Sequence, residues 1–566
     1  MKNYAYYDVA EITSIKDMIE KSVEKYGSKT AFLRKPERGS AYESVSYIDF
    51  SRDVESLGTS FLDLDLKRVA VISENRYEWA ISYLAAVNGK SMVIPIDKEL
   101  PFEDWSNLLK ISKADAVVYS KKFSEDMIKA KESIEGLNFL INMDIDDDTE
   151  NELSLKKLLK NGKNDILNGD SRFKNIEIDT EEARILLFTS GTTALSKGVL
   201  HSHKTISSNL MNMCRMLYID DKDVFLSVLP IHHTYECTCG FLCPLYRGAT
   251  VAYCEGLKYI QKNLAESKAT IMLGVPAIFE AMYKRIWAAA KKNNIDKKLK
   301  KALSLSNTLR KAHIDLRKKL FKQVTDNFGG SIRMFIAGAA AVNPEVSKGF
   351  RDLGINFFQG YGITECAPIV ALNRDYFYKD DSAGYPCVGM DVKIIDCDEN
   401  GIGEIICRGP NVMLGYYEDQ KATDEVLKNN WFYTGDLAYF DDDGFIHITG
   451  RKKNVIIASN GKNVFPEELE TFLNDNPFIA ESMVYGGKAN NETVLCAIIV
   501  PNYDYIKSTN PNATDEDVKN MIEGAVKALN KRNPLYKYIR KFEIRDTELA
   551  KTTTKKIKRY IEKPNN

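Results

Sequence analysis

The chain has 566 residues, of which 44% are hydrophobic and 28% are charged, and its formal net charge is −1. A chain of this length exceeds the size at which one hydrophobic core keeps growing, so we expect two or more domains. A net charge near zero argues against a general nucleic-acid binder, whose domain is usually basic. Acidic residues stand where a signal peptide would carry its apolar core, and no apolar run approaches the length of a membrane span, so the sequence predicts a cytoplasmic protein.

Short apolar runs alternate with helical patterns along the first part of the chain. Strands are predicted at 68–74, 91–97, 114–120, 269–276 and 331–338, with amphipathic segments between them. Strands that are apolar on both faces and separated by helices are typical of mostly parallel sheets covered on both sides. From about residue 384, the runs VKIID, GEIICRG and GFIHITG lie close together, which predicts a smaller β-rich part.

The segment 185–203, ILLFTSGTTALSKGVLHSH, predicts a phosphate loop. An apolar run opens into Thr189, and Lys197 follows shortly before a second apolar run, with small residues between them: Ser190, Gly191, Thr192 and Thr193. Glycines and small hydroxyl residues let backbone N–H groups approach an anion. The segment is not a Walker loop, because that loop needs Gly-Lys followed by Ser or Thr and here the order is Lys-Gly-Val.

Three cysteines follow a pair of histidines in the segment HHTYECTCGFLC, at 232–243. Zinc coordination is conceivable for such a cluster, but Cys-x-Cys-x3-Cys matches no common ligand spacing. Buried free thiols are the preferred interpretation, since unpaired cysteines are among the most buried residues.

The segment 284–322 is strongly basic, with fourteen Lys or Arg residues against two Asp. Leu309, Leu316, Leu320 and Val324 fall near helical spacing within and just after it. A basic amphipathic helix can lie weakly on an anionic membrane or bind an anionic ligand. The preferred alternative is a surface helix whose apolar stripe packs on the core, because the apolar face carries few aromatic residues.

Two later clusters carry groups suited to a nucleotide. In QGYGITE, Gly360 and Gly362 flank Tyr361, and Thr364 and Glu365 follow at once. A tyrosine between glycines can offer its face to a base, a threonine can bond phosphate, and a carboxylate suits Mg²⁺. A tight turn with a core tyrosine would look similar.

The second cluster is WFYTGDLAYF, in which Asp436 follows a Thr-Gly pair and could accept hydrogen bonds from both ribose hydroxyls. An exposed turn aspartate is the alternative. The basic run GRKKN follows at 450–454.

Taken in order, the motifs TSGTT…SKG, YGITE, TGD, GRKK and the C-terminal KTTTKKIKR resemble those of the adenylate-forming superfamily. This superfamily contains acyl-CoA synthetases, luciferases and peptide-synthetase adenylation domains. The motifs run from residue 189 to 559, so the resemblance covers nearly the whole chain. It implies an α/β fold with a large N-terminal domain at 1–450, built of doubly wound sheet subdomains plus a β-rich part. A small mobile α+β lid at 451–566 would follow.

The resemblance also implies a two-step reaction. A carboxylate attacks the α-phosphate of ATP, giving an acyl-adenylate and pyrophosphate, and a thiol, usually that of coenzyme A, then displaces AMP. The implied phosphate-binding residues are Thr189, Ser190, Gly191, Thr192, Thr193 and Lys197. The implied adenine site comprises Gly338, Ala339, Gly360, Tyr361 and Gly362. Thr364 would contact the α-phosphate, Glu365 would hold Mg²⁺, and Asp436 and Arg451 would bind the ribose.

Lys556 stands at the position where the family carries its catalytic lysine. A long flexible cation there could bridge the attacking carboxylate and the α-phosphate as negative charge moves between them. The lid is expected to rotate about Lys453, and backbone around Gly461 would line the tunnel for the pantetheine arm. Glycine suits that position, because a side chain would narrow the tunnel.

LPIHHTYE, at 229–236, is similar to a segment of long-chain fatty acyl-CoA synthetases, with His233 matching their histidine and counted here as catalytic. The resemblance therefore implies a long-chain fatty acid as the substrate. A hydrophobic pocket discriminates neighbouring chain lengths by only about 1–3 kcal/mol, so the preferred length stays open. Transfer to an acyl-carrier protein instead of CoA, activation of an aryl or dicarboxylic acid, and a catalytically idle nucleotide-binding homologue remain alternatives.

Three positions depart from the family pattern. Ala194 and Ser196 replace the usual glycine and proline of the phosphate loop, and Lys555 replaces a glycine beside the catalytic lysine. Alanine resists positive φ, so we expect a stiffer or differently shaped loop. These departures bear on rate rather than on the class of reaction.

Overall fold

The structure is a computed structural model, and it describes residues 5–189, 197–458, 462–489, 492–552 and 556–563. The helices in chain order are α1 (Ile15–Tyr26), α2 (Tyr47–Asp63), α3 (Tyr77–Val87), α4 (Phe102–Ser112), α5 (Ser124–Ser133), α6 (Leu155–Leu167), α7 (His203–Met216), α8 (Cys243–Arg247), α9 (Ile260–Ser267), α10 (Pro276–Lys292), α11 (Asp296–Lys311), α12 (Arg317–Leu320), α13 (Lys322–Asp326), α14 (Pro344–Asp352), α15 (Gln420–Val426), α16 (Pro466–Asn474), α17 (Tyr503–Thr509), α18 (Asp515–Arg532) and α19 (Arg559–Glu562).

The strands in chain order are β1 (Thr30–Arg34), β2 (Glu43–Ser46), β3 (Arg68–Ile72), β4 (Met92–Pro95), β5 (Ala116–Tyr119), β6 (Phe139–Asn142), β7 (Leu153–Ser154), β8 (Ala183–Thr189), β9 (Lys197–Ser202), β10 (Val224–Ser227), β11 (Thr250–Tyr253), β12 (Ile271–Gly274), β13 (Met334–Ala337), β14 (Asn356–Gly362), β15 (Ile369–Leu372), β16 (Tyr385–Pro386), β17 (Asp391–Ile395), β18 (Gly403–Arg408), β19 (Gly415–Tyr416), β20 (Leu427–Lys428), β21 (Trp431–Phe440), β22 (Ile446–Arg451), β23 (Ile456–Ile457), β24 (Asn463–Val464), β25 (Ile479–Ala489), β26 (Glu492–Pro501) and β27 (Ile539–Ile544).

The chain divides into two compact units, of which the larger comprises Met1–Thr189, Lys197–Asp391 and Arg408–Asn430. One of its sheets has the strand order β16-β15-β14-β13-β12-β10-β11-β1-β2, and the other has the order β19-β9-β8-β4-β3-β5-β6-β7. The inner strands β10, β11, β12 and β13 of the first sheet and β3, β4 and β5 of the second pair in parallel and are mostly apolar, as expected for strands covered on both faces. The predicted α/β fold is confirmed.

The five strands predicted from apolar runs are present as β3, β4, β5, β12 and β13, each shortened at its ends. Their side chains supply much of the buried core of the larger unit, packed against the helices that flank each sheet. The runs VKIID, GEIICRG and GFIHITG form β17, β18 and β22. The sequence pattern therefore located these elements correctly, because apolar alternation and turn residues are local signals.

Among the described residues, the smaller unit comprises Val392–Cys407 and those from Trp431 to Lys563. Its sheets include β18, β21 and β22, which pair antiparallel, and the sheet β25-β26-β27, whose apolar face packs against α16 and α18. The Thr514 side chain and Asp517 form a capping box that begins α18. The division at residue 450 predicted from sequence stays a prediction.

The basic segment does not form one continuous helix. It is divided among α10, α11, α12 and α13, with breaks near residues 293–295 and 312–316. Val324 packs against the core of the larger unit, whereas Leu316 and Leu320 are exposed. Within the described residues, no helix is long and apolar enough to cross a membrane.

Candidate active site

The predicted phosphate loop joins two antiparallel strands. β8 ends at Thr189 and β9 begins at Lys197, and these two residues face each other in the register of the pair. The Thr189 hydroxyl donates to the Lys197 carbonyl oxygen at 3.4 Å. The remaining predicted loop residues lie outside the described ranges, namely Ser190, Gly191, Thr192 and Thr193, together with Ala194 and Ser196. The structure thus brings the two ends of the loop together.

Tyr416 contacts both the lysine of this loop and the predicted metal ligand. The Lys197 ammonium lies 4.5 Å from the centroid of the Tyr416 ring, which is a cation–π distance. The Tyr416 hydroxyl donates to Glu365 Oε1 at 2.9 Å. The strand that carries Tyr416 pairs with β9, where Tyr416 faces Val199. The sequence motifs missed this residue, although its place beside a glycine in LGYYED is the kind of signal that singled out Tyr361.

A 3₁₀ turn at Thr364–Cys366 carries two of the predicted site residues, and hydrogen bonds from distant segments hold it. His201 Nε2 lies 2.7 Å from the first carbonyl oxygen of the turn. The backbone N–H of Met413 donates to the second at 2.8 Å, and Asn411 Nδ2 donates to the third at 2.6 Å. Asn411 is fully buried. The positions of Thr364 and Glu365 are therefore set by contacts to their backbone.

His201 is buried near the end of β9, and burial lowers the pKa of its imidazole to about 4. The ring is therefore neutral near pH 7 and carries one proton. A carbonyl oxygen can only accept, so Nε2 holds the proton and donates it to the Thr364 carbonyl oxygen. Nδ1 then faces the Thr205 hydroxyl at 3.1 Å.

Glu365 offers a hard oxygen ligand to a cation. Its side chain is half-buried and its Oε1 is oriented by the Tyr416 hydroxyl. In the described part of the chain, no group of three or more His, Cys, Asp or Glu residues could by itself enclose a metal. Mg²⁺ is commonly held by one or two carboxylates together with water and substrate phosphates. A single oriented carboxylate beside a phosphate-loop lysine fits that mode of binding.

The predicted adenine residues lie on β14, which pairs with β15. A Cβ on Gly360 would lie 3.0 Å from the Ala371 carbonyl oxygen, and one on Gly362 would lie 2.6 Å from the Pro368 carbonyl oxygen. The two glycines therefore permit close strand pairing on either side of Tyr361, which is itself largely buried.

Gly338 and Ala339 follow β13, and Gly338 lies against Tyr235 of the HHTYE segment. A Cβ on Gly338 would lie 2.9 Å from the ring of Tyr235, whose hydroxyl donates to the Ile336 carbonyl oxygen at 2.9 Å. Ala339 has φ +72°, a left-handed conformation that alanine adopts at a cost. The structure therefore brings together a predicted nucleotide segment and the segment on which the fatty acid prediction rests.

The HHTYE segment leads into a π-helix at Tyr235–Leu242, and π-helices are frequent at functional sites. His233 is half-buried, and its Nδ1 lies 3.4 Å from the backbone N–H of Tyr235. Glu236 is only 1% exposed, and burial raises the pKa of its carboxyl group to about 8. Ser227 and the Leu229 backbone lie near enough to the carboxyl group to favour its charged form, but burial has the larger effect on its pKa.

The cysteines of this segment are buried free thiols. Cys243 Sγ lies 3.5 Å from Cys214 Sγ, and Cys239 Sγ lies 3.6 Å from the sulfur of Met213. Burial raises the pKa of Cys237 to about 12, so this thiol stays protonated near pH 7.

In the smaller unit, the two predicted ribose ligands form an ion pair. Asp436 on β21 faces Arg451 on β22, and the distance from Arg451 Nε to Asp436 Oδ1 is 2.7 Å. Gly435 has φ +69° and donates its N–H to Glu404 Oε1, while Lys452 pairs with the other oxygen of that carboxylate. Asp436 is only 5% exposed, which differs from the exposed turn aspartate that the sequence left open. Arg451 is the more accessible of the pair.

Lys453 lies in a 3₁₀ turn at Lys452–Asn454 and is exposed. Gly461 and Lys555 lie outside the described residues. Lys556 is exposed on a backbone hairpin in which Lys551 bridges to Ile557. The Thr552 N–H donates to the Lys556 carbonyl oxygen at 2.8 Å, and the Lys556 N–H donates to Thr552 Oγ1 at 3.1 Å.

The AMP-binding enzyme family matches residues 19–417, and the AMP-binding enzyme C-terminal domain matches residues 453–562. The chain belongs to the AMP-binding enzyme family. The family prediction is thereby confirmed, and the matched ranges contain the phosphate-loop lysine, the Glu365 turn and the Lys556 hairpin.

Two relatives and one solved structure are similar to this AMP-binding enzyme over nearly its full length. A fatty acyl-CoA synthetase B from Dictyostelium discoideum is 26% identical, covering 90% of this chain and 80% of the relative. A long-chain-fatty-acid–CoA ligase from Escherichia coli O157:H7 is 25% identical, covering 96% of this chain and 93% of the relative. The crystal structure of an anthranilate CoA ligase with anthranoyl-AMP has a TM-score of 0.77 at 20% identity, covering 99% and 98% of the two chains. At that identity the likeness to the anthranilate enzyme supports the fold alone.

Proposed function

We propose that this AMP-binding enzyme activates a long-chain fatty acid with ATP and transfers it to coenzyme A. The fatty acid carboxylate displaces pyrophosphate from the α-phosphate of ATP, giving an acyl-adenylate. The thiol of coenzyme A then attacks the acyl carbon, so that a thioester forms, AMP leaves and the thiol proton is released. The observation that carries this proposal is the linkage of Lys197 and Glu365 through Tyr416, within a chain similar to fatty acyl-CoA ligases over most of its length.

The larger unit supplies groups for the triphosphate. Lys197 would neutralise the outer phosphates, and Thr364 would bond the α-phosphate from a turn whose backbone is fixed. Glu365 would hold Mg²⁺, which when bound neutralises phosphate charge as pyrophosphate leaves. The protein needs no nucleophile of its own for this step, because it relies on positioning and on charge neutralisation.

The smaller unit supplies the remaining groups. Asp436 would accept from the ribose hydroxyls, while Arg451 pairs with its carboxylate at 2.7 Å and orients it. Lys556 would bridge the attacking carboxylate and the α-phosphate. Because both Lys556 and the CoA thiol must approach the same carbonyl carbon, we propose that the two steps use different lid positions, with Lys453 as the hinge.

The fatty acid substrate is supported by the resemblance of the HHTYE segment to that of long-chain fatty acyl-CoA synthetases, and by the relatives named for that substrate. An aryl or dicarboxylic acid is the alternative substrate. Transfer to the phosphopantetheine thiol of a carrier protein is the alternative second step.

A pyrophosphate-release screen tests the proposal. The purified protein is given MgATP and saturated fatty acids of increasing length, benzoic and anthranilic acids, or dicarboxylic acids, each with and without CoA or a loaded carrier protein. We expect the highest kcat/KM with long saturated acids and thioester formation with CoA. Faster pyrophosphate release with an aryl acid would contradict the proposed fatty acid substrate. Thioester formation only on the carrier protein would contradict CoA as the acceptor. Release with no acid would favour an idle homologue.

We further propose that the basic segment makes a weak peripheral contact with anionic lipid. Exposed apolar side chains are interleaved there with exposed lysines, as at Leu305, Ile314 and Leu320 beside Lys318 and Lys319. Lysines attract the anionic surface and exposed apolar side chains enter the interface, a combination suited to an enzyme whose substrate partitions into membranes.

Vesicle co-sedimentation tests this contact. We expect binding to vesicles of mixed phosphatidylcholine and phosphatidylglycerol at 0.15 M salt and little binding to phosphatidylcholine alone. Each cation near the surface contributes about 1 kcal/mol, so Lys318→Glu with Lys319→Glu should weaken binding at least tenfold. Lys527→Glu with Lys531→Glu, on α18, is the matched control. Equal binding to neutral and anionic vesicles would contradict the proposal. So would an equal loss of binding in the control variant.

A further inference from the structure

The hairpin that carries Lys556 is anchored by three buried carboxylates from other elements. We call its described residues, 549–552 and 556–559, the lysine hairpin. Glu481 on β25 accepts from the Leu549 N–H at 2.8 Å and pairs with Lys551 at 2.5 Å. Glu562 on α19 accepts from the Ala550 N–H at 2.5 Å. Each of these carboxylates is less than a tenth exposed. The backbone on the N-terminal side of the hairpin is therefore fixed at two adjacent residues.

The third anchor lies on the C-terminal side, three residues beyond Lys556. Arg559 Nη2 donates to Glu470 Oε2, and Arg559 Nη1 donates to the Val484 carbonyl oxygen at 3.0 Å. Glu470 Oε1 accepts from the Val484 N–H at 2.6 Å. The guanidinium thus joins the hairpin to both α16 and β25 through two of its nitrogens, a planar fork that lysine cannot reproduce.

The same helix, α16, also contacts the segment proposed as the hinge. Glu467, one turn before Glu470, accepts from Asn454 Nδ2 at 2.7 Å. A Cβ on Gly450 would lie 2.7 Å from Glu467 Oε2, so this carboxylate lies directly against the backbone before the hinge. Two carboxylates on one short helix therefore connect residues 450–454 with the base of the lysine hairpin.

We propose that Arg559 and Glu470 are positioning residues for the adenylate-forming step, which they serve by holding the backbone from which Lys556 extends. This inference rests on the proposed function. The Lys556 side chain has four rotatable bonds and is exposed, so its reach is set by where its Cα is held. Neither residue is assigned contact with substrate. A displacement of about 1 Å far from the reacting atoms can lower a rate about a hundredfold, which is why an anchor behind the lysine matters.

The test separates the two half-reactions in Arg559→Lys, Glu470→Gln and the double variant. We expect pyrophosphate release to fall tenfold to a hundredfold in kcat, with the KM for ATP within threefold of wild type. Thioester formation from supplied acyl-adenylate should stay within twofold. Because the two residues act as one contact, the double variant should be no slower than the slower single variant. Arg540→Lys, at an arginine that stacks on Tyr538 in the same unit, is the matched control and should behave as wild type.

Hydrogen exchange supplies a readout that needs no activity. The amides of Thr552, Lys556 and Lys558 should lose protection in Arg559→Lys and keep it in Arg540→Lys. Unchanged exchange with unchanged pyrophosphate release, or equal loss in both half-reactions, would overturn the inference. If the wild-type protein releases no pyrophosphate with any acid, the proposed function fails, and unchanged exchange in Arg559→Lys would then overturn the anchoring as well.

Discussion

The Thr364–Cys366 turn and the lysine hairpin are both short backbone segments that carry site residues, but they are held by different chemistry. Neutral donors from His201, Asn411 and a backbone N–H hold the turn by its carbonyl oxygens. The lysine hairpin is held by carboxylates, of which Glu470 and Glu481 pair with cations. Neutral hydrogen bonds fix geometry over a wide pH range, whereas buried ion pairs depend on protonation and on both partners. The difference separates the segment that carries the proposed metal ligand from the segment that carries a flexible cation.

The largest effect is expected at the tip of the lysine hairpin. Lys556→Ala should lower adenylate formation at least a hundredfold, in line with the roughly 2.7–4 kcal/mol lost with a key electrostatic stabiliser. The variant should still convert supplied acyl-adenylate to thioester. Pyrophosphate release and thioester formation are measured separately, with Lys541→Ala as a control lysine of the same unit. Equal damage to both steps would contradict the role given to Lys556.

The opposite pattern is expected at the hinge and at the proposed tunnel. Lys453→Pro restricts the backbone of the turn at Lys452–Asn454, and Gly461→Leu adds a side chain where the pantetheine arm is proposed to pass. Both should release pyrophosphate from ATP and fatty acid but form little acyl-CoA. The ratio of the two half-reaction rates is the measurement, and a ratio equal to that of Lys556→Ala would count against two lid positions.

The next effect concerns the charged pair of β21 and β22. Asp436→Ala should raise the KM for ATP by tenfold or more, because each charge-assisted hydrogen bond contributes about 1.5–3 kcal/mol. Asp436 is buried against Arg451, so the variant should also lower the midpoint of urea unfolding. Asp442→Ala, an exposed acid in the turn between the same strands, is the control. An unchanged affinity for ATP in Asp436→Ala would contradict the role of Asp436 in binding the nucleotide.

A smaller effect is expected at Tyr416, which contacts both Lys197 and Glu365 of the proposed phosphate site. Tyr416→Phe keeps the ring beside Lys197 but removes the hydroxyl that orients Glu365. We expect about a tenfold lower kcat/KM for MgATP, partly recovered at high Mg²⁺, since a hydrogen bond to a charged group contributes about 1.5–3 kcal/mol. Tyr417→Phe, whose hydroxyl contacts Arg68 instead, is the matched control. A loss in the control alone would exclude this role for Tyr416.

The smallest effect is expected on the pH dependence of the free energy of unfolding, to which the buried Glu470 contributes. Burial raises the pKa of Glu470 from 4.5 to about 7, despite its partner Arg559 and with Glu467 nearby. Between those values the folded protein holds a proton that the unfolded chain has lost, so the free energy of unfolding falls as pH rises. Glu470→Gln should remove up to about 1.4 kcal/mol per pH unit of that slope.

The matched variant for the turn is Asn411→Ala, which should lower the free energy of unfolding by about 1–3 kcal/mol through unsatisfied buried carbonyls. Its effect should be the same at pH 5.5 and pH 7, because His201 is already neutral at both. Urea unfolding at the two pH values measures both variants. A pH-dependent effect of Asn411→Ala, or a pH-independent effect of Glu470→Gln, would break the distinction between the two segments.

The sequence predicted the sheets and the motifs because both depend on local patterns. Apolar runs located β3, β4, β5, β12 and β13, and the family motifs singled out Lys197, Glu365, Asp436 and Lys556, whose roles stay predictions. The residues that hold these groups carry no local signal. His201, Asn411 and Arg559 each act on a backbone or carboxylate far away in sequence or on another element, and only the folded chain brings them there.

The basic segment shows a second limit of sequence reasoning. Its leucines are spaced for one helix, yet the chain breaks between α11 and α12, so the stripe is divided. Val324 is packed inward and Leu320 is exposed, an outcome decided by tertiary packing rather than by period. Spacing alone could not tell a core-facing stripe from an exposed one.

Two positions of the π-helix, Glu236 and Gly240, restrict each other during sequence divergence. A Cβ on Gly240 would lie 2.7 Å from the carboxyl group of Glu236, one turn earlier in the same helix. The two positions therefore share one volume, and a mutational path that enlarges residue 240 is open only after residue 236 has become smaller. Homologues should show the pair changing together, with glycine retained wherever the buried glutamate is present. In a library randomised at both positions, folded proteins should combine a large residue at one position with a small residue at the other.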